Sequence, residues 1–166
     1  MTIASSVIPP ADVRPDGAHR FVTLARDERY RRRIVMTTDC GFQFLLDLPE
    51  ATYLADGSGL LLETGDIVRV RAAAEPLLEI RAGSAALLMR LAWHIGNRHT
   101  PAEITADALY IQPDHVLADM VRGLGGTVAE VMRPFEPEGG AYGGHGALSS
   151  GHDHGANAHS HDHHGH

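Results

Sequence analysis

The chain has 166 residues, 43% of them hydrophobic, and a formal net charge of −7, enough for one ordinary domain or two small ones with ordered cores. The acidic balance excludes nucleic acid and anionic membrane surfaces as natural partners, and no apolar run approaches the roughly 20 residues of a membrane span. A single cysteine, Cys40, excludes an intramolecular disulfide, and the N-terminus has no charged start leading into an apolar block, so a cytoplasmic protein is expected.

Residues 1–18, with Pro9, Pro10, Pro15 and Gly17, read as a loose, flexible leader. From residue 19 to 73 the signals are those of short strands, and the expectation is a small β domain that engages partners or peptides. "RFVTL" and "YRRRIVM" are followed by turn chemistry at Asp39 and Gly41. "FQFLLDL" alternates Phe42, Phe44, Leu46 and Leu48 on one face, and "GLLLETGDIVRVRA" reads as two strands about Thr64-Gly65-Asp66. The rhythm then changes. "PLLEIR" is a strand, and "SAALLMRLAWHIGN" a helix with Ser84 as N-cap and Gly96 near its end. "AEITADALYIQ" is a hairpin turning at Ala106-Asp107. "PDHVLADMVRGLG" is a second helix with Pro113 in its first position and Gly125 or Gly126 as terminator. "TVAEVMRPF" is a last strand. The fold class is therefore α+β. The β domain is followed over residues 74–142 by a ferredoxin-like βαββαβ unit. Residues 143–166 are too poor in apolar groups to fold, and a disordered tail is expected there.

The first helix is apolar nearly all round. Leu87, Leu88, Leu91 and Ile95 make the face that covers the sheet. Ala85, Ala86, Met89, Ala92 and Trp93 fill much of the other side, leaving a narrow polar strip with Arg90, His94 and Asn97. Such a helix is normally buried on both sides. In so small a domain the second cover is most simply another copy of the chain, which predicts a homodimer with the end of this helix near the two-fold axis.

Histidine is the anomaly: there are 12, and eight lie in the last 22 residues, at His145, His152, His154, His159, His161, His163, His164 and His166. Closely spaced imidazoles bind Ni, Cu, Zn and Co. An ordinary imidazole pKa near 6.5 leaves most of them neutral at cytosolic pH, as ligation requires. The rival account, a purification tag or inert end, fits poorly, since the histidines are interleaved with Asp, Gly, Ala and Ser. His94 and His99 stand five apart, so on a helix they point roughly 140° away from each other and cannot grip one ion together. His99 follows a helix C-terminus, where an imidazolium can simply cap the negative dipole end; the alternative is metal ligation with His99 of a second subunit. His94 reads as a packing residue, His115 as a surface residue or an auxiliary ligand, and His19 as uninformative. For catalysis, His115 could be paired with Asp114 or Asp119, or Cys40 taken as a nucleophile. No supporting motif accompanies either, and Asp39 should disfavour the thiolate, so no enzyme is expected. Arg31 to Arg33 read as a solvated strand edge rather than a nucleic-acid contact.

"WHIGNRHTPAEI", together with "RRRIVMTTDCGFQFLLDLP", "GDIVRVRAAAEPLLEIR", "PDHVLADMVRGLG" and "RPFEPEGGAY", resembles the urease accessory protein E family (UreE), the nickel chaperones of urease, over residues 20–142. The resemblance implies an N-terminal β domain, a ferredoxin-like metal-binding domain that dimerises, and a nickel ligand at the two-fold in the histidine of G-N-R-H, which is His99. Asp114-His115 matches a region where some members carry a further histidine. Here that place holds Pro113, which cannot ligate and leaves His115 as an auxiliary ligand at most. The implied role is capture of Ni(II), with Zn(II) or Cu(II) as further ions, and delivery through the urease accessory GTPase to the urease apoenzyme. The competing expectation is a passive metal-storage or detoxification protein that relies on the tail.

Overall fold

A computed structural model describes residues 1–14 and 18–139. The described part is mixed α+β, with two sheets and two helices. Strands β1 (Ile3–Ile8), β2 (Ala18–Leu24), β3 (Tyr30–Thr37), β4 (Gln43–Tyr53), β5 (Gly59–Leu62) and β6 (Ile67–Ala72) form one six-stranded sheet in the order β2-β6-β5-β1-β4-β3. Strands β7 (Ala74–Arg81), β8 (Ala102–Ile104), β9 (Leu109–Ile111) and β10 (Thr127–Pro134) form a second sheet in the order β10-β7-β9-β8. Helices α1 (Ala85–Gly96) and α2 (His115–Gly123) belong to this second unit.

The expected loose leader is not observed. Residues 3–8 form an inner strand, antiparallel to β5 and parallel to β4, with Ala4 fully buried. Ser5 and Ser6 interrupt the apolar alternation and Pro9-Pro10 follows at once, so the segment lacks a strand signal of its own; its pairing partners lie some 40 to 60 residues away in sequence. All six strands send side chains into a single core, among them Val22, Met36, Phe44, Leu46, Leu60, Leu62, Val68 and Val70. The sheet therefore curls over on itself. Its two ends meet where Asp39, in the β3–β4 turn, donates its backbone N–H to Phe21 O at 2.8 Å and accepts from the Thr23 hydroxyl at 2.7 Å. Gly41 makes that turn possible at φ +86, a conformation that a side chain resists.

In the second unit both helices cover one face of the sheet. Leu91 and Ile95 of α1, with Leu117, Ala118 and Val121 of α2, are buried against Leu78, Ile80, Leu109 and Ile111. Ser84 caps α1 through its hydroxyl to Leu87 N at 3.2 Å. Asp114 caps α2, its carboxylate accepting from Leu117 N at 2.9 Å. Pro113 thus precedes the cap instead of occupying the first helical position, because the aspartate is the better acceptor for the free N–H groups. Gly125, at φ +93, ends α2, and Gly126 lets the next strand pass close beneath α1.

The other face of this sheet is covered by the chain itself. Beyond β10, Phe135 is fully buried against Leu77, Ala108 and Tyr110. Arg133 lies over the Tyr110 ring at 3.7 Å and bonds Glu103 at 2.5 Å. Glu136 N then donates to the Glu103 carboxylate at 3.0 Å, and Glu138 N to Ala102 O at 2.8 Å. In five residues the chain has crossed from the β10 edge to the β8 edge. The β unit closes over this segment: the wholly buried guanidinium of Arg29 donates to Phe135 O and to the Glu136 carboxylate.

Candidate metal site

Helix α1 runs out at Gly96, and three residues later the turn closes with His99 N–H donating to Gly96 O at 3.0 Å. His99 holds φ +54, the one positive φ outside glycine among the described residues. In this left-handed region histidine is more tolerated than most side chains, but still pays in strain what glycine would not. The side chain is exposed. Arg98 is turned back along the helix, its guanidinium donating to His94 O at 3.0 Å, and so caps the helix end in place of His99. His94 is half-buried, its ring edge-on to Trp93 with centroids 5.1 Å apart.

The flank of α1 leading to this turn is apolar and open. Met89 is 68% exposed and Trp93 64% exposed, four residues apart on one side of the helix. Among the described residues no group of three or more His, Cys, Asp or Glu side chains gathers into a metal-sized cluster. The described residues of one chain therefore bring His99 to this turn without a ligand cluster, and a metal ion that takes four or more donors needs further ligands.

His115 is exposed at the first position of α2. It lines a groove of about 390 Å³ with Leu78, Pro113, Asp114, Arg122, Val128 and Glu130. Asp114 is already engaged as the helix cap, and Arg122 introduces a positive charge. Glu130 is the one further carboxylate on the groove, and among the described residues it does not complete a cluster of three ligating side chains with His115. The eight histidines from His145 to His166 lie outside the described residues.

Cys40 is exposed, and its thiol is drawn below the ordinary value, first by a hydrogen bond shared with the Thr38 hydroxyl at 3.3 Å, then by the Phe42 backbone. The opposite was expected from Asp39. That carboxylate is instead held by Thr23 and approached by Arg71 at 3.8 Å, so its charge is answered elsewhere. Among the described residues the thiol belongs to no cluster of His, Cys, Asp or Glu side chains.

Sequence reasoning missed the segment 133–138. Its sequence is rich in proline and glutamate and gives no sign that it crosses a sheet. Yet its end, at Glu138, is bonded to Ala102, three residues beyond His99.

Two family models match the chain: the N-terminal domain of the UreE urease accessory protein over residues 4–73, and its C-terminal domain over residues 75–166. Among curated proteins, the urease accessory protein UreE of Chelativorans sp. (strain BNC1) is 51% identical over 139 residues, covering 84% of this chain and 87% of the relative. That of Azorhizobium caulinodans is 49% identical over 159 residues, covering 93% and 76%. That of Rhodopseudomonas palustris (strain HaA2) is 57% identical over 121 residues, covering 73% and 56%. The chain thus spans between just over half and nearly nine-tenths of the length of these relatives.

Proposed function

The chain belongs to the UreE family of urease accessory proteins, an accessory family rather than an enzyme family, and from that premise we propose that it captures Ni(II) and hands it on for assembly of the urease active site. The observation that carries this reading is the exposed His99 turn at the end of α1, beside the open Met89 and Trp93 face. Two chains packed through that face form a homodimer that brings two His99 imidazoles to one axis. Such a pairing explains why a residue in a left-handed turn is histidine and not glycine, and why the described residues of one chain gather no ligand cluster. The second unit reads as the ferredoxin-like βαββαβ fold, supported by the strand order β10-β7-β9-β8 with both helices on one face.

Two imidazoles fall short of what nickel prefers, so tail histidines, from His145 to His166, and water complete the shell. A site finished by separate arms can take and release an ion by stepwise ligand exchange, since its shell need not be broken all at once. Zn(II) and Cu(II) compete for the same donors. His115 serves at most as an auxiliary ligand. The ion passes to the urease accessory GTPase and then to the urease apoenzyme in the cytoplasm. Protein partners are met by the β unit, whose edge strand β3 carries Arg31, Arg32 and Arg33.

Calorimetric titration with nickel tests the reading. Truncation after Gly144 should lower the ions bound per dimer and leave one site, and His99→Ala in the truncated chain should remove it. Urease activation at limiting nickel should fall with His99→Ala. A truncated chain that binds nothing, with activation unchanged, would identify a passive store that uses the tail alone.

A further inference from the structure

Strand β3 ends the six-stranded sheet and pairs with β4 alone, which leaves its other edge open. Among the described residues, no backbone hydrogen bond engages residues 31–36 except those to β4. The strand carries Arg31, Arg32 and Arg33 in a row, followed by Ile34 and Val35. Ile34 is 38% exposed and Val35 49%; with Tyr30 they make three of the nine large apolar side chains left exposed among the described residues. Alternation puts them on both faces. Met36 is buried in the core of the β unit, so Ile34 and Arg32 share its face but lie beyond the cover of that core. Arg31, Arg33 and Val35 point the other way. At Arg32 the ladder is interrupted: β3 takes two steps from Arg31 to Arg33 while β4 takes five from Thr52 to Asp47.

The charge on this edge is largely unanswered, in a chain whose net charge is −7. Among the described residues, Asp47 is the one carboxylate that reaches any of the three arginines, 3.8 Å from Arg33. Asp27 and Glu28, just before the strand, are held instead by Arg26 and by Ala25 N, each at 2.9 Å. A second copy of β3 laid here with its arginine run paired would set arginine against arginine, which like charges disfavour. Charge that only blunts an edge accounts for the arginines, but not for two exposed β-branched residues beside them. A strand with carboxylates opposite the arginines and apolar side chains opposite Ile34 and Val35 satisfies both halves at once. We propose that the open edge of β3 docks an extended acidic segment of a protein partner, which joins the sheet as a further strand. Resting on the reading that the β unit meets protein partners, the site adds the chemistry of what it meets: a short acidic run flanked by two apolar residues.

The experiment uses the metal-free full-length chain at low salt and two short capped peptides. One places two valines before three aspartates and the other after them, so that either strand direction can pair. Nuclear magnetic resonance follows the amide shifts and amide exchange. At least one peptide should bind, shift the signals of residues 31–35 most, and slow their exchange. Arg31→Glu, Arg32→Glu and Arg33→Glu combined should weaken binding about tenfold or more, and a peptide with arginines in place of aspartates should bind that variant instead. Nickel titration of the variant should match the parent, since the arginines lie on the other unit. If the triple variant fails to fold, Arg32→Glu alone poses the same question with a smaller fold-change. The binding peptide methylated at every amide keeps its charge but loses its strand donors, and should not bind. Binding of neither peptide, or equal binding of the methylated one, overturns the proposal. So does an oligonucleotide that displaces the peptide and holds the same residues more tightly. In any of those events, lower urease activation by the triple variant at limiting nickel would leave the partner reading of the β unit standing, and unchanged activation would overturn that reading too.

Discussion

At residue scale, His99 combines two roles that can be separated. Its backbone closes the turn after α1 at φ +54, and its imidazole is the proposed ligand. Glycine suits the backbone role and cannot fill the other. His99→Gly should therefore abolish nickel binding by the truncated chain while holding or raising stability, by up to about 1 kcal/mol. His99→Val should abolish binding equally but cost about 1–2 kcal/mol, because a β-branched residue resists the left-handed region. Thermal melts of the two variants, set beside nickel titrations, check both halves. Equal melting points would mean that the turn relaxes without strain. Part of this residue was legible in the sequence: Gly96 marked the helix end, whereas the helical spacing drawn between His94 and His99 does not apply, because His99 lies beyond the helix. The left-handed conformation was not, since the glycine that usually takes it lies three residues earlier and stays helical.

The elements carry the energetics. Helix α1 buries Leu91 and Ile95 on the sheet and leaves Met89 and Trp93 to solvent. Replacing both exposed residues by glutamate should leave the folded unit intact. It should weaken self-association by about 2 kcal/mol or more, as loss of an aromatic anchor does at an interface centre. Sedimentation equilibrium measures this, and nickel affinity of the truncated chain should fall with it. An unchanged dimer would place the interface elsewhere. Where α1 crosses the start of β10, a Cβ on Gly126 would stand 2.8 Å from both Leu91 Cδ1 and Val121 Cγ1, with Arg81 O at 3.3 Å. Gly126→Ala should thus cost roughly 1–3 kcal/mol, through overpacking between two helices and a backbone. Denaturant unfolding tests it, and a loss below 0.5 kcal/mol would show that α1 can shift. The helices were readable because the cap Ser84 and a terminating glycine at 125 or 126 act within a few residues of sequence, though the sequence places the start of α2 at Pro113 and not after its Asp114 cap. Strand β1 was not, because only its distant partners β4 and β5 make it a strand.

For the molecule as a whole, the joint between the units is the least legible feature. Nothing in "RDERY" says that Arg29 will be buried, and nothing in "RPFEPEGG" says that it will cross a sheet; the two acquire meaning only together. The joint should nevertheless be visible in solution. Burial pushes the Tyr53 phenol up to about 12 against an ordinary 10; the Arg29 charge opposes this and the Glu136 carboxylate reinforces it. The folded protein therefore favours the neutral phenol more than the unfolded chain does. This contribution to stability is complete below pH 10 and is lost as the pH rises through 12. Its size is no more than roughly 2 kcal/mol, since the ring is only partly buried. No lysine contributes in this window, because all 14 basic residues are arginine, and the other three tyrosines are common to the parent and the Tyr53 variant. Tyr53→Phe should cost under about 1 kcal/mol at pH 8, where only a long hydrogen bond to Glu136 is lost. Between pH 10 and 12 its stability should fall less steeply than that of the parent. Melting curves in steps of half a pH unit would reveal the difference in slope. Parallel slopes would mean that the phenol ionises as freely in the fold as out of it, and that the β unit does not close over the exit segment in solution.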